Sequence, residues 1–291
     1  MEDKKYKLTD ETIEVEGKTL YRIEALKDFG EIKKGDKGGF IESENNLAHE
    51  GNAWVSDDAC VYDNARVSGN AHIYGEAWVF GSACVYGDAC VFDNACVYNN
   101  ASVSGYAQVY SNAIVYGDAN VCDDSHVFGN ATVCNKACVY GNAVVYEDAC
   151  VYGNAQVYGD ALVYGNSHVY GETLVCGYAR VYDESVIYDN AWVSGDALVC
   201  EDAEVCGNAC ICGNAIITEL SDYMVFKNWW SSGRYFTWTR SNNMWSVGCF
   251  YGTGEELIKK AYQDSKKSGL EYERIVHYVE DVLKSENNGN K

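Results

Sequence analysis

Proton transfer, nucleophilic attack and metal binding need histidines, carboxylates or thiols that converge, and the middle of this chain is rich in all three. Between residues 53 and 217 lie His72, His126 and His168, 20 Asp or Glu, and 13 of the 14 cysteines. A histidine could deprotonate a nucleophile. Cys200, Cys206, Cys210 and Cys212 form the densest thiol group and raise a zinc site, which needs four side chains within about 2.3 Å of one point. Whether any of these groups meet depends on the backbone that carries them.

That backbone is periodic. From Ala53-Trp-Val55 to Ala215-Ile-Ile217 the unit Ala-x-Val-Tyr-Gly-Asn recurs 28 times with no inserted or deleted residue. The third slot is Val in 24 units and Ile in four; the first is Ala in 24, with Ser125, Ser167, Thr173 and Ser185 as the exceptions. Self-similarity at a fixed period marks a solenoid. Residues two apart on a strand face the same side, so Ala and Val point inward together and the residue between them points out. A Gly-Asn or Gly-Asp turn bends the chain after each triplet, and three bends close a triangle. At about 4.8 Å per stacked turn, the repeats predict an all-β solenoid of about nine 18-residue turns, roughly 45 Å long.

On this frame the three histidines take the outward slot. His72 and His126 share a face but stand three turns, about 14 Å, apart, and His168 lies on another face. No partner for general-base work can be named, so they read as structural. Cys206 and the Cys210/Cys212 pair fall on different sides of the triangle, which argues against zinc. The cysteines are expected to be reduced, small apolar fillers in a cytosolic protein, and neither metal nor cofactor is expected. The opening Met1-Glu-Asp-Lys-Lys-Tyr-Lys lacks the apolar core of a signal peptide, and no run is long enough to span a membrane. The location expected is the cytoplasm.

The unit Val-Tyr-Gly-Asn-Ala-x resembles the hexapeptide repeat of left-handed β-helix proteins, an aliphatic residue followed four positions later by a small one. The resemblance covers more than half the chain and implies a left-handed triangular parallel β-helix, a hand that physics alone does not supply because parallel crossovers are normally right-handed. Leu20-Tyr-Arg-Ile-Glu-Ala-Leu-Lys-Asp-Phe-Gly and Lys34-Gly-Asp-Lys-Gly-Gly-Phe-Ile-Glu-Ser look like the lead-in of a bacterial and phage subgroup, labelled transferases or polymer-forming proteins. The likeness therefore implies phage or prophage association and two alternative functions: an acyltransferase using an acyl-thioester cofactor, or a scaffold of rods stacked end to end. Family acyltransferases use a histidine near a subunit interface and loops inserted between coils, and this rod has no inserted loop.

Three segments follow. Residues 1–52 read as an N-terminal cap with a β-hairpin, Thr12-Ile-Glu-Val and Lys18-Thr-Leu-Tyr-Arg-Ile flanking a Glu-Gly turn. Residues 53–218 are the β-helix. Residues 219–291 read as a small C-terminal ββαα domain: a hairpin over Arg234-Tyr-Phe-Thr-Trp-Thr and Met244-Trp-Ser-Val-Gly-Cys-Phe, then helices from Thr253 and around Leu270.

The charge is concentrated in the rod. Its 20 acids face three bases (Arg66, Lys136, Arg180), which gives −17 of the chain's −21. Asp57, Asp58, Glu76, Asp93, Glu147, Asp148, Asp183, Glu184, Glu201 and Asp202 fall on one edge. Asp88, Asp124, Asp160 and Asp196 recur on every second turn of another, with Asp123 adjacent. Such a rod repels nucleic acid and anionic membranes and attracts a protein with a basic surface, although acidic turns also keep a long β-structure soluble. Tyr62, Tyr86, Tyr98, Tyr116, Tyr152, Tyr170 and Tyr188 are expected to stack as ladders along the corners. Trp229, Trp230, Arg234, Trp238, Arg240 and Trp245 are candidate interface anchors of the C-terminal domain. The leading expectation is a non-enzymatic interaction protein, compatible with a dimer or trimer, that binds a protein partner. In its most specific form it inhibits a host nucleic-acid-binding factor by charge mimicry in the host cytoplasm.

Overall fold

The computed structural model describes residues 4–289; Met1–Asp3, part of the stretch read for a signal, and residues 290–291 lie outside the described residues. The x-Val pair of each hexad forms a two-residue strand, 28 in all, from β4 (Trp54–Val55) to β31 (Ile216–Ile217). Away from the ends of the rod each pairs in parallel with the strands 18 residues before and after, as Cys90 does with His72 and Gln108. The strands sort into three sheets, so the rod has three sides. Its core is the column of Ala and Val or Ile side chains, each at most 1% exposed.

The solenoid has about ten turns, one more than the hexads supply. β3 (Lys37–Ile41) lies parallel to the first repeats, with Phe40 opposite Cys60 and Ile41 opposite Val61, and Leu47 bridges Val67. This turn escapes the repeat because the cap packs on it: a Cβ at Gly38 would sit 2.5 Å from Ile23 Cγ1 of β2 (Lys18–Ala25). β1 (Tyr6–Val15) and β2 form an antiparallel hairpin at Glu16-Gly17, and β2 continues antiparallel onto β3.

Successive turns bond with one polarity, which decides how the ends are closed. N–H groups of one turn donate to carbonyls of the next, Trp54 to Ala71 and Tyr74 to Val91. The first turn is therefore left with carbonyls and the last with N–H groups, and orphaned backbone groups need partners. Donors cover the first turn: Lys5 Nζ reaches the Ala53 carbonyl at 2.8 Å, Tyr6 Oη that of Leu47 at 2.7 Å, and Arg22 Nη1 those of Gly38 at 2.8 Å and Asp57 at 2.9 Å. Hydroxyl acceptors cover the last: the N–H of Cys210 donates to Thr237 Oγ1 at 2.8 Å, that of Ile216 to Ser241 Oγ at 2.7 Å, and that of Cys206 to Tyr223 Oη at 3.2 Å.

The exceptions to alanine in the first slot differ in how they are satisfied. Ser125 and Ser185 donate to the carbonyls of Cys122 and Tyr182, at 2.7 and 2.8 Å. The Thr173 hydroxyl is fully buried and has no partner among the described residues. An unsatisfied buried hydroxyl costs about 1–3 kcal/mol, more than the burial of one methyl at about 0.8 kcal/mol. Thr173→Ala is thus expected to stabilise the protein by about 1 kcal/mol, read as a higher midpoint in urea with an unchanged m-value. A lower midpoint would show that the hydroxyl is satisfied in solution.

After the last turn come a four-stranded antiparallel meander and two helices: β32 (Tyr223–Lys227), β33 (Tyr235–Thr239), β34 (Met244–Val247), β35 (Phe250–Gly252), α1 (Gly254–Asp264) and α2 (Lys266–Gly289). The expected hairpin is β33 and β34. Two outer strands join it, so the unit is ββββαα rather than ββαα: β35 is only three residues long, and β32, Tyr-Met-Val-Phe-Lys, lacks polar alternation. Thr253 caps α1, its Oγ1 accepting the Glu256 N–H at 3.3 Å while the Glu256 carboxylate accepts the Thr253 N–H at 2.9 Å.

Candidate functional site

The ten carboxylates of the first edge line up as the 18-residue register requires, but the structure divides their roles. Asp57, Asp93, Glu147 and Asp183 occupy the left-handed slot of their turns, with φ between 55° and 58°. An L-residue costs about 1–2 kcal/mol there. Each offsets it by accepting the N–H of the same slot one turn on: Gly75 at 3.0 Å, Ser111 at 3.2 Å, Gly165 at 2.9 Å and Glu201 at 3.1 Å. Asp148 ends an amide ladder on the same edge, in which Asn94 donates to Asn112, Asn112 to Asn130, and Asn130 to Asp148 at 2.9 Å. Asp58 pairs with Arg22 of the cap at 3.2 Å. Among the described residues, Glu76, Glu184, Glu201 and Asp202 have side chains with no hydrogen bond or ion pair.

This arrangement holds six of the ten negative charges at fixed points and leaves four on free side chains. A recess of about 460 Å³ opens on the edge, lined by Gly75, Glu76, Asp93, Asn94, Ser111 and Asn112. The second acidic edge repeats the pattern: Asp88 accepts from Asn70 at 2.9 Å, Asp160 from Asn142 at 3.0 Å, and Asp123 caps the Gly141 N–H at 3.1 Å.

Aromatic rings stiffen the corners. Tyr74, Phe92, Tyr110, Phe128, Tyr146, Tyr164 and Tyr182 stack face to face at 4.7–5.1 Å along the first edge. Tyr62 to Tyr116, and Tyr152 through Tyr170 to Tyr188, stack at 4.7–5.5 Å along the third corner, and Tyr140 with Tyr158 at 4.9 Å along the second edge. Tyr86 stands outside any stack, between Ser68 and Ser104. Two exposed rings escaped the sequence reading: Tyr106 and Tyr178, 63% and 64% exposed, in the turn slot that carries Asn or Asp in the other turns of the second edge. Their displacement from the usual aromatic slot is the signal that could have found them.

The histidines meet no catalytic partner. Burial holds the His72 imidazole below its usual range. His126 and His168 lie edge-on to Tyr110 and Tyr152, at 6.4 and 6.3 Å. The side chains of all three form no hydrogen bond or ion pair among the described residues.

All 14 cysteines are free thiols. Several close off aromatic ladders: Tyr116, Tyr158, Tyr182 and Tyr188 each hydrogen-bond a cysteine one turn on, Cys134, Cys176, Cys200 and Cys206, which holds these phenols above their ordinary range. Cys200 and Cys206 are thus occupied apart from one another. Cys210 and Cys212 meet. The Cys212 thiol donates to the Cys210 sulfur, and the Ser246 hydroxyl donates to it at 3.1 Å, which draws Cys210 down to about 7 and pushes Cys212 up.

In the C-terminal domain the structure corrects the choice of anchors. Trp238 and Trp245 are buried with Phe236, Leu257, Val276 and Val279, and Trp230 packs edge-on to Tyr272 at 4.9 Å. These three tryptophans make the core because a sheet this small needs large side chains to bury apolar surface. Trp229 is the exposed one, at 70%. Arg240 pairs with Glu286 at 2.8 Å and donates to the Ser221 carbonyl, tying α2 to the end of the rod. Arg234 lines a cavity of about 480 Å³ with Lys260, Asp264 and Tyr272.

Among the described residues no helix is long and apolar enough to cross a membrane. No curated protein matches the chain. The family model described as YdcK Beta solenoid repeat matches residues 59–75 and 155–171, two stretches of the rod. With the stacked parallel turns, this match makes the chain a carrier of β-solenoid repeats.

Proposed function

We propose that this protein is a non-enzymatic interaction protein whose acidic edge binds a protein partner with a basic surface, and that it acts by occupying a groove built for nucleic acid. The observation that carries the reading is the row of carboxylates from Asp57 to Asp202, four of them pinned by backbone N–H groups of the following turn. A rod of charge −17 over roughly 45 Å carries about one charge per 2.6 Å, against about one per 1.7 Å on duplex DNA. Carboxylates already fixed lose little freedom on binding. Trp229 and the out-of-slot Tyr106 and Tyr178 add exposed aromatic surface of the kind that anchors interfaces. The resemblance of the hexad and of the lead-in supports a left-handed winding and a phage or prophage setting, with the host cytoplasm as the place of action.

The test is affinity capture from nuclease-treated lysate of the source cell, eluted with rising salt and identified by mass spectrometry. One stoichiometric nucleic-acid-binding protein, released by salt and displaced by duplex DNA, is the expected result. Capture of a partner that resists both salt and DNA would overturn the mimicry.

A further inference from the structure

The zinc-like cysteine cluster of the sequence separates into unrelated contacts, and what remains is a close pair with no role in the reading above. Cys210 lies in β30 (Cys210–Ile211), the last strand of its sheet, and Cys212 follows two residues on with its side chain on the same outward side. Ser246 of β34 (Met244–Val247) closes over them, 7% exposed, its hydroxyl donating to Cys210 Sγ at 3.1 Å. Three polarisable or polar atoms thus converge where the C-terminal sheet docks on the last turn. The backbone there is fixed from both sides: Cys210 pairs with Trp192 in the ladder, and its N–H is tied to Thr237 at 2.8 Å.

Two thiols this close could join as a disulfide or clamp an ion, and the fixed strand favours the ion. Residues two apart on an extended strand have Cα atoms roughly 6.6 Å apart, at the upper limit of about 6.8 Å that a disulfide tolerates. Closing the bond would pull Cys210 away from Trp192 and Thr237. Metal–sulfur bonds of about 2.3 Å span more, with the sulfurs about 4.6 Å apart across a linear centre. Zinc requires four ligands, and among the described residues no third thiol, histidine or carboxylate joins the pair. A soft monovalent ion is content with two thiolates.

We infer that Cys210 and Cys212 form a two-coordinate site for a soft thiophilic metal ion of the Cu(I) class. Loading is a ligand exchange without redox: one Cu(I) and two thiols give a bis-thiolate complex and release two protons. The surrounding rod, at −17, raises the local concentration of cations. Ser246 remains as a hydroxyl donor to the charged Cys210 sulfur.

The test is an anaerobic titration of the full reduced chain with Cu(I) against a chromogenic Cu(I) chelator. One equivalent is expected to bind more tightly than the rest, and to be lost in both Cys210→Ser and Cys212→Ser while Cys249→Ser, at the exposed lone thiol, retains it. Retention of the tight equivalent in both variants would overturn the site. Should either variant misfold, the wild-type chain decides: one equivalent of Cu(I) must shield Cys210 and Cys212 from alkylation in a peptide map. Shielding of any other pair overturns the inference. The outcome is independent of whether the acidic edge binds a partner.

Discussion

Ala131→Leu is expected to destabilise the rod by about 3 kcal/mol or more and to break its unfolding into separate transitions, whereas Ala131→Ser leaves it nearly unchanged. Ala113, Ala131 and Ala149 occupy one inward slot on successive turns, and none is exposed. Leu adds three carbons at a corner whose width is set by a turn every six residues. Overpacking costs about 1–3 kcal/mol in cores that can relax, and here relaxation would have to move the ladder above and below. Solenoids are held by nearest-neighbour contacts, so a damaged turn uncouples the segments on its two sides. Serine is already accommodated in this slot at Ser125 and Ser185, where the hydroxyl finds a turn carbonyl. Urea unfolding followed by hydrogen exchange checks both substitutions. A single cooperative transition with an unchanged midpoint for the leucine variant would mean that the core is wider than the Ala-Val column implies.

The architecture was legible because the repeat carries its own geometry. Ala and Val two apart specify one buried face, and the glycine-rich turn specifies the bend, so strand positions, sheet number and the outward histidines follow from spacing. The extra turn was hidden because Gly39, Ile41 and Leu47 take the inward places of the repeat in a sequence that does not match it. The caps were equally hidden: that Lys5 and Arg22 serve carbonyls, and Thr237 and Ser241 serve N–H groups, depends on bond polarity along the rod, which hexad spacing does not reveal. The candidate site was half legible. Register placed the ten acids on one edge, but the division into backbone caps and free carboxylates rests on the left-handed φ of the first turn residue together with an N–H in the turn that follows, which Glu201, left-handed but in the last turn of the edge, lacks. In the C-terminal domain composition pointed to tryptophans, and only the packing shows that Trp229 faces out while Trp238 and Trp245 face in.

That division determines how the acidic edge should be probed. Reversing Asp93 or Asp183 would remove a backbone hydrogen bond along with the charge, so lost binding could reflect a lost turn. Glu76, Glu184, Glu201 and Asp202 carry no such bond, and changing all four to Lys shifts the edge by eight charge units while the ladder stays intact. The thermal midpoint is expected to move by no more than a few degrees, since surface substitutions of this kind stay within about 0.5 kcal/mol each. Binding to the captured partner is expected to weaken by about 100-fold or more, mostly through slower association, because opposed surface fields govern encounter. The salt dependence should flatten in parallel, as fewer ion pairs form. Surface plasmon resonance at two ionic strengths measures the affinity, the association rate and the salt dependence, and a thermal melt measures the midpoint. Unchanged affinity in a folded quadruple variant would eliminate the acidic edge as the binding surface and move attention to the exposed rings of Tyr106, Tyr178 and Trp229.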